Sequence, residues 1–179
     1  MSASAPGDVW GPAGNRRDVP ACLERLLDGA EVEWIALADV CQIETGKLNA
    51  NAAVDGGAYP FFTTAKAPLR IDKYRWDTEA LLIAGNANVG EVQHFKGKFE
   101  AYQRTYVLTN FTSGIDIRFL YFAVTSHLKA YLESHKNSAA MTYIVLSTLR
   151  DFVVPIPFPD NPEKSLKIQA EIVRILDTF

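Results

Sequence analysis

The stretch from residue 41 to 110 most constrains what this chain can fold into. Turn signals at Thr45-Gly46, Asp55-Gly56-Gly57, Gly85-Asn86 and Lys96-Gly97-Lys98 punctuate it throughout. Between them lie short strand-like runs, Tyr59–Thr63, Ala80–Ala84, Glu91–Phe95 and Arg104–Leu108, too short for helices of ordinary length. The pattern changes at Ser113. Ile115, Phe119, Phe122, Ala123, Leu128, Tyr131 and Leu132 recur at near-helical spacing and predict one long helix over 115–134. Phe152 to Ile156 reads as a last strand, closed by Pro155, Pro157 and Pro159. A final helix is expected from Glu163 or Ser165. Its Ile168, Ile172, Ile175 and Phe179 step as the seam of a coiled coil does.

Residues 1–17 are rich in Gly, Pro, Ala and Ser, lack periodicity and predict a disordered tail. Asp18 is a candidate cap for a short helix carrying Leu23, Leu26 and Leu27, before Gly29 stops it. Trp34, Ile35, Leu37 and Val40 then open the globular part. The chain of 179 residues suits one domain. Its 48% hydrophobic and 22% charged residues exclude a mainly disordered protein. No apolar run reaches the ~18 residues of a membrane span, and no signal-peptide core opens the chain, so the cytosol is the expected compartment. The two cysteines, Cys22 and Cys41, form no CxxC pair and have no histidine cluster beside them. They read as small buried apolar residues rather than metal ligands.

A net charge of −3 excludes a strongly basic polynucleotide binder. The charge is uneven, however. Residues 1–45 carry three Arg against eight acids, whereas residues 46–105 carry eight basic side chains against six acidic ones, a balance of +2. A mild basic face is expected there, although a mixed solvated surface has the same composition.

Catalytic patterns fail on inspection. Gly85 and Gly90 have the spacing of a phosphate loop, but Glu91-Val92 stands where Lys-Ser/Thr must meet phosphate and magnesium. Asp160-Asn161-Pro162-Glu163 lacks the second proline and the aromatic of an adenine methyltransferase motif. His94, His127 and His135 have no spacing that builds a triad or a metal site. What remains is a set of polar loops: Thr63, Thr64, Lys66 and Arg70; Asp72, Lys73, Tyr74 and Arg75; Asn86 and Asn88; and Lys96, Lys98, Gln103 and Arg104. Asn and Gln pair bidentately with adenine, Arg and Lys with guanine, and Thr meets the thymine methyl. Nearby Lys and Arg hold phosphates.

Several segments follow one another in a recognisable order. They are Val32 to Cys41 with Thr45-Gly46, Tyr59-Pro60-Phe61-Phe62-Thr63-Thr64, Asp72-Lys73-Tyr74, Leu82 to Gly85 with Val89-Gly90, and Phe99 to Leu108. Val154-Pro155-Ile156-Pro157 and Ile168 to Asp177 complete the series. This order, over roughly residues 20–179, resembles the target recognition domain of the specificity (S) subunit of type I restriction-modification systems. The resemblance implies an α+β domain with a twisted, mostly antiparallel sheet over 18–160 and the start of a spacer helix over 161–179. It also implies a subunit without chemistry of its own. Two such domains, spaced by antiparallel helices, each read half of a bipartite double-stranded DNA site. Modification subunits bind S-adenosylmethionine and methylate an adenine in each half, and restriction subunits join to cleave. The specificity chain itself needs no cofactor, since ATP and magnesium belong to the partner subunits as well. A whole subunit has two recognition domains, so a half-subunit or fragment with a second S-type domain as partner is the expectation here. Many members of that family carry a basic residue or extra glycines in the loop after the segment matching Leu82-Ile83, where this chain has Asn86-Ala87-Asn88. The competing reading is a protein-interaction module that uses the Ile168, Ile172, Ile175 and Phe179 stripe without touching DNA.

Overall fold

The computed structural model describes residues 29–135 and 143–179. The tail expected at 1–17, the short helix with Leu23, Leu26 and Leu27, and Cys22 lie outside the described residues. In chain order the elements are β1 (Val32–Ala36), α1 (Leu37–Val40), β2 (Gln42–Thr45), a single 3-10 turn (Ala50–Ala52), β3 (Tyr59–Phe62), β4 (Leu69–Ile71), β5 (Trp76–Ala84), β6 (Val92–Ala101) and β7 (Thr105–Thr109). They continue with α2 (Ile117–Ser134), α3 (Leu146–Arg150), β8 (Val153–Pro157) and α4 (Pro162–Leu176).

A six-stranded sheet runs in the order β2-β7-β5-β6-β3-β4, and β1 pairs with β8 in a separate two-stranded ribbon. Every strand pair is antiparallel except β3 with β6, which run parallel at Phe61–Glu100 and Phe62–Ala101. The expected α+β class with a mostly antiparallel sheet is therefore what forms. In β8, Pro155 and Pro157 sit in a strand with β1 as its one partner, where proline is tolerated.

β7 and the Ala80–Ala84 part of β5 are buried on both faces. Leu81, Ile83, Tyr106 and Leu108 face the helices and join Leu120, Val124, Leu128, Leu149 and Ile172 in one core. The alternate residues Ala80, Leu82 and Val107 turn to a second core with Phe62, Trp76, Phe99 and Ala101. In that cluster the Trp76 ring stacks on Phe99 at 5.3 Å, and the Phe99 ring meets Phe62 edge-on at 5.6 Å. The Trp76 indole N–H donates to Glu44 Oε1 of β2 at 2.9 Å, so the far end of β5 is tied back across the sheet. Cys41 is buried as expected, and burial pushes its thiol up to about 12.

Two sequence expectations change. Lys96-Gly97-Lys98 is not a turn but the middle of β6, in register with Glu79, Thr78 and Asp77. Gly97 takes φ 140°, a backbone conformation that residues with a Cβ rarely adopt, so the glycine lets the strand continue there. The strand wins because β5 offers it a continuous ladder, which outweighs a local turn preference. The second change concerns the last helix. Asn161, whose side chain accepts from Lys164 N–H, caps it one residue before Pro162, ahead of the expected start. Its inward face is Ser165, Gln169 and Ile172, not the full expected seam. Of the stripe, Ile172 is 1% exposed in the main core, Ile168 and Ile175 pack partly against it, and Phe179 is 88% exposed.

Gln169 explains the rotation. It is fully buried, and its Nε2 donates to Gly114 O and Ser165 Oγ, both at 2.9 Å, while its Oε1 accepts Asp116 N–H at 2.8 Å. That amide closes the groups ahead of α2, whose own cap is Asp116 Oδ1 accepting Phe119 N–H. Burying Gln169 with all these bonds satisfied is far better than leaving Asp116 N–H and Gly114 O unpaired. Replacing Ile172 with Ala should cost about 2–5 kcal/mol by cavity formation. Gln169→Ala should cost about 1–3 kcal/mol through the orphaned backbone groups. Phe179→Ala should stay within about 0.5 kcal/mol. Urea unfolding of the three variants beside wild type checks this order.

Candidate nucleic-acid interface

The β6–β7 connection is the centre of the site. It is a tight turn, with Thr105 N–H donating to Tyr102 O at 2.9 Å, and it presents Gln103 and Arg104 to solvent. Three other loops are bonded to it or to one another. The 46–49 segment joins through Gly46 N–H to Thr105 O (3.3 Å), Gln103 N–H to Leu48 O (2.9 Å) and Gln103 Nε2 to Asn49 Oδ1 (2.8 Å). The 85–91 loop joins through Gly85 N–H to Arg104 O at 2.8 Å. The 63–66 loop follows β3, whose Phe62 O accepts Tyr102 N–H, and it receives Asn88 Nδ2 on Thr64 O at 2.7 Å. Two glycines make this approach feasible. A Cβ on Gly46 would lie 2.0 Å from Ala101 O, and one on Gly85 would lie 2.4 Å from Arg104 O.

The structure therefore brings together Thr63, Thr64, Lys66, Asn86, Asn88, Gln103 and Arg104, which the sequence scatters over 42 positions. Within the group their situations differ. Thr63 and Thr64 are 7% and 9% exposed, and Thr63 Oγ1 accepts the N–H of Ala65, which braces the turn from beneath the surface. Asn88 spends its amide N–H on Thr64 O and holds two loops together. Lys66, Gln103 and Arg104 are exposed and Asn86 is partly exposed. Glu100 is buried with Oε1 accepting Ala101 N–H, and no ion pair joins it to Arg104 among the described residues.

Arg70, Lys73, Tyr74 and Lys98 belong to a different place, at the opposite end of β3. Arg70 donates to Gly57 O (3.0 Å) and Ala58 O (2.9 Å), which commits it to closing the β3–β4 hairpin. Lys98 Nζ sits 5.0 Å over the Tyr74 ring, which in turn meets Tyr59 edge-on. Lys73 is exposed. Sequence reasoning passed over Asn49, Gln93 and Tyr143. Asn49 is bonded to Gln103, Gln93 Nε2 reaches Ala65 O at 3.4 Å, and Tyr143 bridges to Asn86. The polar Asn49-Ala50-Asn51 run was the one available signal for the first.

Charge at the rim is balanced locally. Lys129 of α2 donates to Glu91 Oε1 at 2.6 Å and Lys66 adds its field, so the hydrogen bond and these cations hold the Glu91 carboxyl below its ordinary value of 4.5. Behind the rim, burial pushes the Tyr106 phenol up, which keeps it a neutral donor to Ile144 O at 2.9 Å. No group of three or more His, Cys, Asp or Glu among the described residues is placed to hold a metal. No described helix is long and apolar enough to cross a membrane.

The site is thus a rim of mutually bonded loops on an α+β domain, with amides and cations at its surface. Residues 30–179 match the family described as "Type I restriction modification DNA specificity domain". The chain belongs to that family. It is similar to the Type I restriction enzyme EcoDI specificity subunit of Escherichia coli, with 38% identity over 150 residues, covering 83% of this chain and 31% of that protein. The EcoR124I/EcoR124II specificity subunit, also of Escherichia coli, is 32% identical over 179 residues, covering 88% of this chain and 40% of that protein. Among solved structures, the S subunit of a type I restriction-modification system from M. genitalium superposes with a TM-score of 0.70 at 17% identity, over 84% of this chain and 39% of that one. This chain thus spans about a third to two-fifths of the curated relatives it matches.

Lys129 and Glu91 make a testable pair. A carboxyl with a lowered folded-state value contributes stability above its unfolded value and loses that contribution as pH falls through the folded one. Glu91 should titrate below 4.5 in wild type and move back toward it in Lys129→Met, as read from its side-chain carbon shifts by NMR.

Proposed function

We propose that this domain reads one half-site of a bipartite double-stranded DNA sequence as part of a type I specificity subunit, directing adenine methylation and restriction that partner subunits carry out. The observation that carries the reading is the bonded rim of four loops with Lys66, Asn86, Gln103 and Arg104 at its surface, in a chain of the DNA specificity family. Gln103 and Arg104 have side chains suited to base edges, and Lys66 to phosphate. S-adenosylmethionine, ATP and magnesium would be handled by the modification and restriction subunits, and a second recognition domain would read the other half. The competing reading, a protein-interaction module without DNA contact, loses its main support because Ile172, the centre of its stripe, is sealed in the domain's own core.

With a balance of +2 over residues 46–105 and −3 overall, the lone domain should bind DNA weakly, and affinity should come from the assembly. The test is selection of bound duplexes from a random pool by the chain assembled with its modification subunits. A defined half-site is the expected outcome, and binding without sequence preference would overturn the reading. In that complex Lys66→Ala should weaken binding similarly across sequences and lower the salt slope by about 1. Gln103→Ala or Arg104→Ala should instead cost about 1–3 kcal/mol at particular bases.

A further inference from the structure

Asn86 and Tyr143 form a backbone bridge of the antiparallel kind. Residues directly opposite in such a pair carry their side chains on the same face, with Cβ atoms about 4.5–5.5 Å apart. Both backbones are locked. Ile144 N–H donates to Gly85 O at 2.7 Å, Tyr106 OH donates to Ile144 O at 2.9 Å, and the Ile144 side chain is 3% exposed in the main core. On the Asn86 side, Gly90 N–H to Ala84 O, Glu91 N–H to Asn88 O and the Asn88–Thr64 bond hold the loop. Against this fixed frame, Tyr143 is 55% exposed. Neither the Asn86 amide nor the Tyr143 hydroxyl has a hydrogen-bond partner among the described residues, whereas Asn88 two residues on donates its amide N–H to Thr64 O.

A free amide and an exposed aromatic ring, side by side on two bridged segments of the proposed DNA-facing rim, match one step of the major groove. Adenine offers N7 and the N6 amino group to an amide, and thymine adds a C5 methyl that an apolar surface contacts. We infer that Asn86 and Tyr143 act as one reading unit for an A·T pair, Asn86 bonding the adenine N6 and N7 and the Tyr143 ring packing on the thymine methyl. Asn88 is then a positioning residue. This inference rests on the DNA-reading function proposed above and adds to it a residue and a base-pair class.

The experiment uses the chain assembled with its modification subunits and the duplex it selects. In separate probes, 7-deazaadenine replaces each adenine and deoxyuridine each thymine of the half-site. At one A·T position, loss of N7 should weaken wild type about 10-fold and leave Asn86→Ala unaffected. Loss of the methyl should weaken wild type and Tyr143→Phe but leave Tyr143→Ala unaffected. The salt dependence should be unchanged in all variants, since no phosphate contact is removed. Melting temperatures near wild type would exclude misfolding, as both side chains lie at the surface. If wild type selects a site yet both alanine variants respond to the modified bases as wild type does, the pair is not the reader and the inference falls while the DNA function stands. A uniform loss across all sequences would also overturn it. If wild type selects no sequence, the proposed function itself fails.

Discussion

Leu81 and Ile83 leave one face of β5 for the helices, while Ala80 and Leu82 leave the other for the aromatic cluster of Phe62, Trp76 and Phe99. A strand buried on both faces must keep its register, because a slip of one residue would exchange the two sets of side chains. β5 pairs with β6 on one side and β7 on the other, from Trp76–Phe99 through Ala84–Thr105. Its end therefore dictates where Gly85 and Arg104 meet. The rim of bonded loops stands on that meeting, since the 85–91 loop leaves β5 there and the Gln103-Arg104 turn enters β7 beside it.

The rim is built to be stiff. Its loops exchange backbone hydrogen bonds, and glycines at 46 and 85 let one main chain lie against another. Stiff loops lose little conformational freedom on contact with a partner. Thr63 Oγ1 accepts the N–H of Ala65, and the Asn88 amide braces the neighbouring loop on Thr64 O.

The C-terminal helix shows how one polar residue redirects an apolar pattern. Ile168, Ile172, Ile175 and Phe179 alone would turn the seam inward. Gln169 turns the helix so that Ser165, Gln169 and Ile172 face the core, because its amide serves three groups at the start of α2 and at Ser165 that would otherwise be buried unpaired. Arg118 adds a clasp at the other end. It donates twice to Asp177 at 3.1 Å while its guanidinium lies over Tyr121 and Phe122. The direction in which α4 leaves the domain is thereby set by polar contacts as much as by apolar burial.

Much was legible from local pattern alone. The strand-like apolar run Ala80–Ala84, the turn at Asp55-Gly56-Gly57, the 3.6-residue repeat of α2, and the polar character of the loops follow from side-chain periodicity and backbone freedom, which act over a few residues. The order of motifs also carried the family. Long-range pairing decided the rest. Only the ladder with β5 makes Lys96-Gly97-Lys98 a strand, and only the fold places Tyr143 beside Asn86 or Asn49 beside Gln103. It likewise separates Arg70, Lys73, Tyr74 and Lys98 from the loops with which they were grouped by type. These outcomes depend on hydrogen bonds and burial between residues tens of positions apart, and such interactions leave no local periodic trace for the sequence to display.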